Sequence, residues 1–158
     1  MQMDQFLHQH KIPFEALVHP PAFSASRRAS LLQVPGRLVA KCILVVSRSS
    51  RALAILPASH QLSLELLEDA MGEEPRLATR EEIAEQIPDC EWGVVPPFGT
   101  LYDLPVLLDE SIDSEEDIIF EGQGRMCSIR LRCADFERLE NPRRFRFAFP
   151  QNSSWSRS

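Results

Sequence analysis

Lysine is almost absent from this chain. Of its 17 basic residues only Lys11 and Lys41 are lysines. Long apolar runs are missing too: no stretch approaches the roughly 18 uninterrupted apolar residues of a membrane helix, so no membrane partner is expected. The opening Met1-Gln2-Met3-Asp4-Gln5 has neither a basic nor an apolar block and gives no sign of a secretory signal. Cys42, Cys90, Cys127 and Cys133 form no C-x-x-C and show no zinc-ligand spacing. Cys42 and Cys127 fall in strand-like runs and read as buried thiols, which suits a reduced, cytoplasmic setting. His8, His10 and His60 have no ligand-like partners in sequence and read as solvated. The acidic residues 113–117 lack the Asp-x-Asp-x-Asp-Gly frame of a calcium loop. No metal and no cofactor is therefore expected. There is no G-x-S-x-G elbow, H-E-x-x-H, P-loop or G-x-G-x-x-G, so the familiar nucleophile, zinc and nucleotide sites are excluded.

What is present is an ordinary globular composition, 44% hydrophobic and 25% charged, long enough for one domain with a real core. The net charge of −6 argues against a general nucleic-acid coat protein. The charge is unevenly placed. Residues 141–158 hold Arg143, Arg144, Arg146 and Arg157 with no acid, which leaves −10 for residues 1–140. The expected organisation is a domain over 1–140 and a basic, aromatic extension over 141–158, mobile after Pro150. From residue 144 to 149 Phe alternates with Arg or Ala. This suits an extended strand whose Phe145, Phe147 and Phe149 pack back on the domain while its arginines face out to contact RNA phosphates.

Periodicity and punctuation predict helices over 4–11, 24–34, 62–71, 79–87 and 134–139. Strands are predicted over 14–19, 38–47, 51–56, 106–109, 117–121 and 127–132. Thr79-Arg80-Glu81-Glu82 is a capping box, and Gly72 stops the helix before it. Interleaved short strands and helices give an α+β fold. Lys41 sits in the most apolar run, Leu38-Val39-Ala40-Lys41-Cys42-Ile43-Leu44-Val45-Val46. Both alternating sets are apolar, so the run reads as a strand buried on both faces. An ammonium there is costly unless paired or open to a cleft. Two readings stand: a cation aimed at an anion or a developing oxyanion, or a lysine that snorkels to solvent.

Gly93-x-x-Pro96-Pro97-Phe98-Gly99 is a rigid loop whose glycines permit close backbone approach and whose prolines fix the chain between them. Its place in the chain order gives it meaning. His19-Pro20-Pro21-Ala22-Phe23 comes first, then the Lys41 strand, then Leu56-Pro57-Ala58. The loop follows, and Phe120-Glu121-Gly122-Gln123-Gly124 and Ser128-Ile129-Arg130 come last. This order resembles the YbaK/prolyl-tRNA synthetase-associated domain family of aminoacyl-tRNA deacylases, over about residues 1–140. The resemblance implies a single domain with a mixed, mainly antiparallel sheet and surrounding helices. It implies hydrolysis of the ester joining a wrong amino acid to the 3′ end of a tRNA, acting in trans, with no metal and no nucleophilic side chain.

On that resemblance Lys41 matches the family's lysine and would anchor the ester carbonyl or the terminal phosphate. Gly93, Val94, Pro96, Pro97, Phe98 and Gly99 match the substrate loop and would cradle the aminoacyl group. His19 is implied as a pocket wall, or is a partly buried histidine bonded to backbone. Ser24 would bond substrate, or cap a helix. Gly122 and Arg125 fall where relatives have a small-residue turn and a histidine, and Gln123 replaces a usual glycine. Arg125 would meet an anionic tRNA group, or is a surface turn residue. Mischarged tRNA is the expected partner, with an aminoacyl-tRNA synthetase as a further one. Two other functions stay open: an inactive binding module of the same fold, motivated by Gln123 and Arg125, and a hydrolase of small acyl esters.

Overall fold

A computed structural model describes residues 2–151. The chain opens with α1 (Met3–Gln9), which buries Met3, Phe6 and Leu7, and continues into β1 (Glu15–Val18). Ser24 starts α2 (Ala25–Leu32) by accepting a hydrogen bond from the Arg27 N–H, and Gln33 ends it in the left-handed region. After a 3-10 turn come β2 (Ala40–Val46) and β3 (Arg51–Pro57), paired antiparallel so that Lys41 lies opposite Leu56. Next are β4 (His60–Leu62), α3 (Leu64–Met71), β5 (Arg76–Leu77) and α4 (Arg80–Gln86). The Thr79–Glu82 capping box that opens α4 is complete, each side chain bonding the other's backbone N–H. The rigid loop ends in a 3-10 turn at Gly99–Tyr102. The order then runs β6 (Val106–Asp109), β7 (Asp117–Glu121), β8 (Cys127–Arg132), α5 (Cys133–Glu140), β9 (Arg143–Phe145) and β10 (Ala148–Pro150).

These strands form three sheets among the described residues. β1-β8-β7 is antiparallel, β10-β4 is a short antiparallel pair, and β5-β2-β3-β6-β9 is mixed, with β6 parallel to both neighbours. Val39 bridges to Ile119 and joins the large sheet to the β7 side. The main core lies between these sheets, α1 and α5. At its centre Phe98 packs against Phe6, Phe120 and Phe136, with ring centroids 5.7, 6.2 and 5.9 Å apart. The fold is thus the expected single α+β domain.

Two local expectations need correction, and one short strand was not foreseen. The helix predicted from residue 62 begins at Leu64, because residues 60–62 are claimed by β4 and Ser63 is the cap. The strand β5 is only two residues long and too short to be visible as a pattern. The single alternating strand expected over 144–149 is broken in two. Asp109, itself buried, accepts the Phe147 N–H at 2.8 Å and turns the chain, so Phe147 enters a second core cluster with Leu56 and Leu67. Phe149 is left partly exposed. Arg144 does not face outward: it donates to Glu137 at 2.9 Å, to the Ile112 carbonyl and to Ser114. The mobility expected after Pro150, with Arg157, concerns residues outside those described save Gln151, whose N–H bonds the Ser59 carbonyl.

Candidate functional site

Helix α2 covers one face of the sheet junction. Its Ala29 packs with Val39 and Ile119 in one buried cluster. Strand side chains alternate, so two residues further on Lys41 and Glu121 fall on that same face. They meet there in a cleft of about 250 Å³. Its lining combines Phe23, Ser24, Ala25 and Arg28 from the start of α2, Ala40, Lys41 and Cys42 from β2, Gly93 and Val95 from the loop, and Glu121 with Arg125. Segments separated by up to about a hundred residues thereby converge on one space.

The Lys41 ammonium donates to the His60 carbonyl at 2.5 Å, and no carboxylate pairs with it among the described residues. Loss of hydration in the cleft holds its pKa below the ordinary lysine value. Beside it Glu121 binds two guanidiniums through one oxygen, Oε2: Arg28 Nη2 at 3.1 Å and Arg125 Nη1 at 3.0 Å. Arg125 Nη2 also reaches the Trp92 carbonyl at 3.3 Å, and its guanidinium lies 5.2 Å from the centre of the Phe23 ring. Phe23 and Trp92, which it touches, are each more than half exposed, while the Arg125 side chain itself is largely covered. Burial, reinforced by Glu121 and opposed by Arg28, pushes the pKa of the Cys42 thiol up.

The expected site residues divide. Lys41, Ser24, Gly93 and Arg125 share the cleft. Ser24 still caps α2 with its oxygen, which leaves the hydroxyl proton available to a ligand. Gly93 has φ +83°, where a side chain would be strained, and a Cβ on it would stand 2.8 Å from Arg125 Nη2 and push that guanidinium aside. Val94, Pro96, Pro97, Phe98 and Gly99 are buried and absent from the lining. They anchor the loop from beneath rather than form the wall. Gly122 is buried against Cys127, whose carbonyl accepts its N–H. His19 is buried, with Nδ1 2.8 Å from the Pro20 carbonyl and Nε2 2.7 Å from Ser128 Oγ; it fastens β1 to β8 outside the lining. Gln123 points to α1, accepting the Met3 N–H at 3.0 Å.

Arg28 and Glu121 were missed. A signal for Arg28 existed. It lies three residues after Ala25 and beside Ala29 on the inner face of α2, a cation in an apolar stripe just as Lys41 is. Glu121 stands in the quoted Phe120–Gly124 segment, but nothing in that segment marks it as a partner for two arginines.

A family model for the aminoacyl-tRNA editing domain matches residues 19–139. No curated protein sequence matches the chain. Among solved structures, hypothetical protein APE2540 superposes with a TM-score of 0.85 at 15% identity, covering 94% of this chain and all of that one. A protein provisionally described as a trans-editing enzyme for prolyl tRNA synthetase gives 0.76 at 20% identity, over 88% of this chain and 87% of that one. A chain from Marinobacter aquaeolei VT8, provisionally described as a signal transduction protein, gives 0.72 at 19% identity, over 92% of this chain but 30% of that one.

Proposed function

The chain belongs to the aminoacyl-tRNA editing domain family, and from that premise we propose that it hydrolyses the ester of mischarged aminoacyl-tRNA in trans. The observation that carries this reading is the convergence of Lys41, Ser24, Gly93 and Arg125 on one cleft. An aminoacyl ester is already activated, so positioning and electrostatic stabilisation can supply most of the rate. Lys41 is given the role of cation for the ester carbonyl or the terminal phosphate. It exchanges the His60 carbonyl for the ligand. Gly93 and Val95 wall the aminoacyl group, and the Ser24 hydroxyl donates to it. Water attacks, helped by the terminal ribose hydroxyl. Exposed Phe23 and Trp92 offer flat faces to an unpaired base. No metal has a part in this scheme, and among the described residues no three His, Cys, Asp or Glu side chains group as ligands.

The test is a panel of mischarged tRNAs assayed with the parent chain and Lys41→Ala. Loss of one well-aimed cation should slow hydrolysis by about 10²–10³-fold. The fold should survive, since removing a desolvated ammonium relieves a cost. Equal rates in the two proteins would remove Lys41 from the mechanism. A second reading, a binding module without turnover, is favoured by one observation: the Lys41 and Arg125 donors already hold protein acceptors. Tight binding of charged tRNA with no hydrolysis of any member of the panel would select it.

A further inference from the structure

The cleft contains more positive charge than an anchoring lysine requires. Arg28 lines it while only 2% exposed. A guanidinium has five donors. Arg28 uses two, both on Nη2, toward the Ala22 carbonyl at 3.4 Å and Glu121 at 3.1 Å. Its Nε–H is buried with no acceptor. Arg125 repeats the pattern: Nη1 and Nη2 are bonded, and Nε is buried with no acceptor. Glu121 is the one carboxylate in the lining, and it faces Arg28, Arg125 and Lys41. The lining therefore holds a net +2 in a chain whose overall charge is −6.

A buried donor without an acceptor costs free energy, and a buried guanidinium with spare donors costs more. An oxyanion entering the cleft would balance the excess charge and draw the two guanidiniums that line it into charge-assisted bonds. Glu121 cannot do so alone, because its single negative charge stands against three cations. Arginine, planar and always charged, suits carboxylate or phosphate better than lysine does.

We infer that Arg28 and Arg125, braced by Glu121, form a subsite for an oxyanion of the ligand, separate from the Lys41 anchor in the same cleft. The inference rests on the reading that the cleft receives the 3′ aminoacyl end. Two parts of such a ligand carry this chemistry: the phosphate of the terminal nucleotide, and the side-chain carboxylate of an acidic aminoacyl group.

The probes are non-hydrolysable amides of 3′-amino-3′-deoxyadenosine bearing an alanyl or an aspartyl group, each with and without a 5′-phosphate. Calorimetric titration into the full chain should show one of these anionic groups raising affinity by about tenfold or more. Arg125→Gln should remove most of that gain, whereas Glu121→Gln should keep or enlarge it. A gain on the 5′-phosphate identifies the nucleotide as source, and a gain on the aspartyl group identifies an acidic aminoacyl substrate. No gain from either, or a gain intact in Arg125→Gln, overturns the subsite. Deacylation of charged tRNA by the same proteins separates the two ideas. Hydrolysis without an anion gain sinks only the subsite, and an anion gain without hydrolysis sinks only the editing reading.

Discussion

On the proposed mechanism, Lys41 should couple stability and function to pH with opposite signs. Burial holds its folded pKa below the ordinary 10.5. Between that lowered value and 10.5 the unfolded chain binds more protons, so folding stability rises with pH across the window. Below the window the cost of the desolvated ammonium is present in full. The proposed anchor, in contrast, works only while charged. Affinity for a non-hydrolysable aminoacyl-adenosine should therefore fall along an alkaline limb that lies below 10.5. Lys41→Arg keeps its charge throughout and should flatten that limb. A limb of the same position and depth in both proteins would mean that another group titrates. The residue that carries this behaviour was legible from sequence because a charge inside a doubly apolar run has few harmless explanations. Arg28 obeys the same logic but stands in Ser26-Arg27-Arg28, where a basic doublet on a short helix looks like solvated surface.

The loop over 93–99 shows what an element-level reading can and cannot extract. Glycine and proline spacing announces a rigid connector, and the structure has one. The same spacing says nothing about which side of the connector meets the core. Phe98 goes inward because three phenylalanines from α1, β7 and α5 surround it, contacts made by residues far away in sequence. Gly99 is held by space as much as by the loop: a Cβ there would lie 2.2 Å from the Leu104 carbonyl oxygen and 2.8 Å from Val106 Cγ2. Gly99→Ala should cost about 1–3 kcal/mol through forced backbone movement. Urea unfolding should show a lower midpoint with an unchanged m-value. A midpoint within error of the parent would mean that the loop yields freely and does not fix Gly93 in place. The elements best read in advance, β2, β3 and the capped α4, are those whose signals are local. β4 and β5 exist by pairing with distant strands and leave little trace in their own residues.

At the scale of the molecule, the proposed function requires an acidic chain to hold a polyanion. The basic stretch after residue 141 is only partly available for that. Arg144 is committed to Glu137 and Ser114, while Arg143 and Arg146 make no ion pair among the described residues and stack over Phe145 and Phe149. Arg146 also lines a hollow of about 490 Å³ with His60, the residue whose carbonyl meets Lys41. Replacing Arg143 and Arg146 together by Gln should weaken tRNA binding and reduce its salt slope by about one to two phosphate contacts. Hydrolysis at saturating substrate should change little. Arg144→Gln should instead register in thermal stability. Identical salt slopes for parent and double variant would assign the stretch to architecture alone.

The pairing of β10 with β4 bears on when the cleft becomes competent during synthesis. The His60 carbonyl that receives the Lys41 ammonium sits in β4, and Pro150 is its register partner. Phe147 fills the cluster beneath. A nascent chain that has released residues 1–140 from the ribosome has therefore made every cleft-lining residue but not the strand that steadies the lysine's resting acceptor. A domain generally folds as a unit, so this strand belongs to what must be present. Completion of this cleft should accordingly depend on residues 143–150, which lie outside the segment that contains its chemistry.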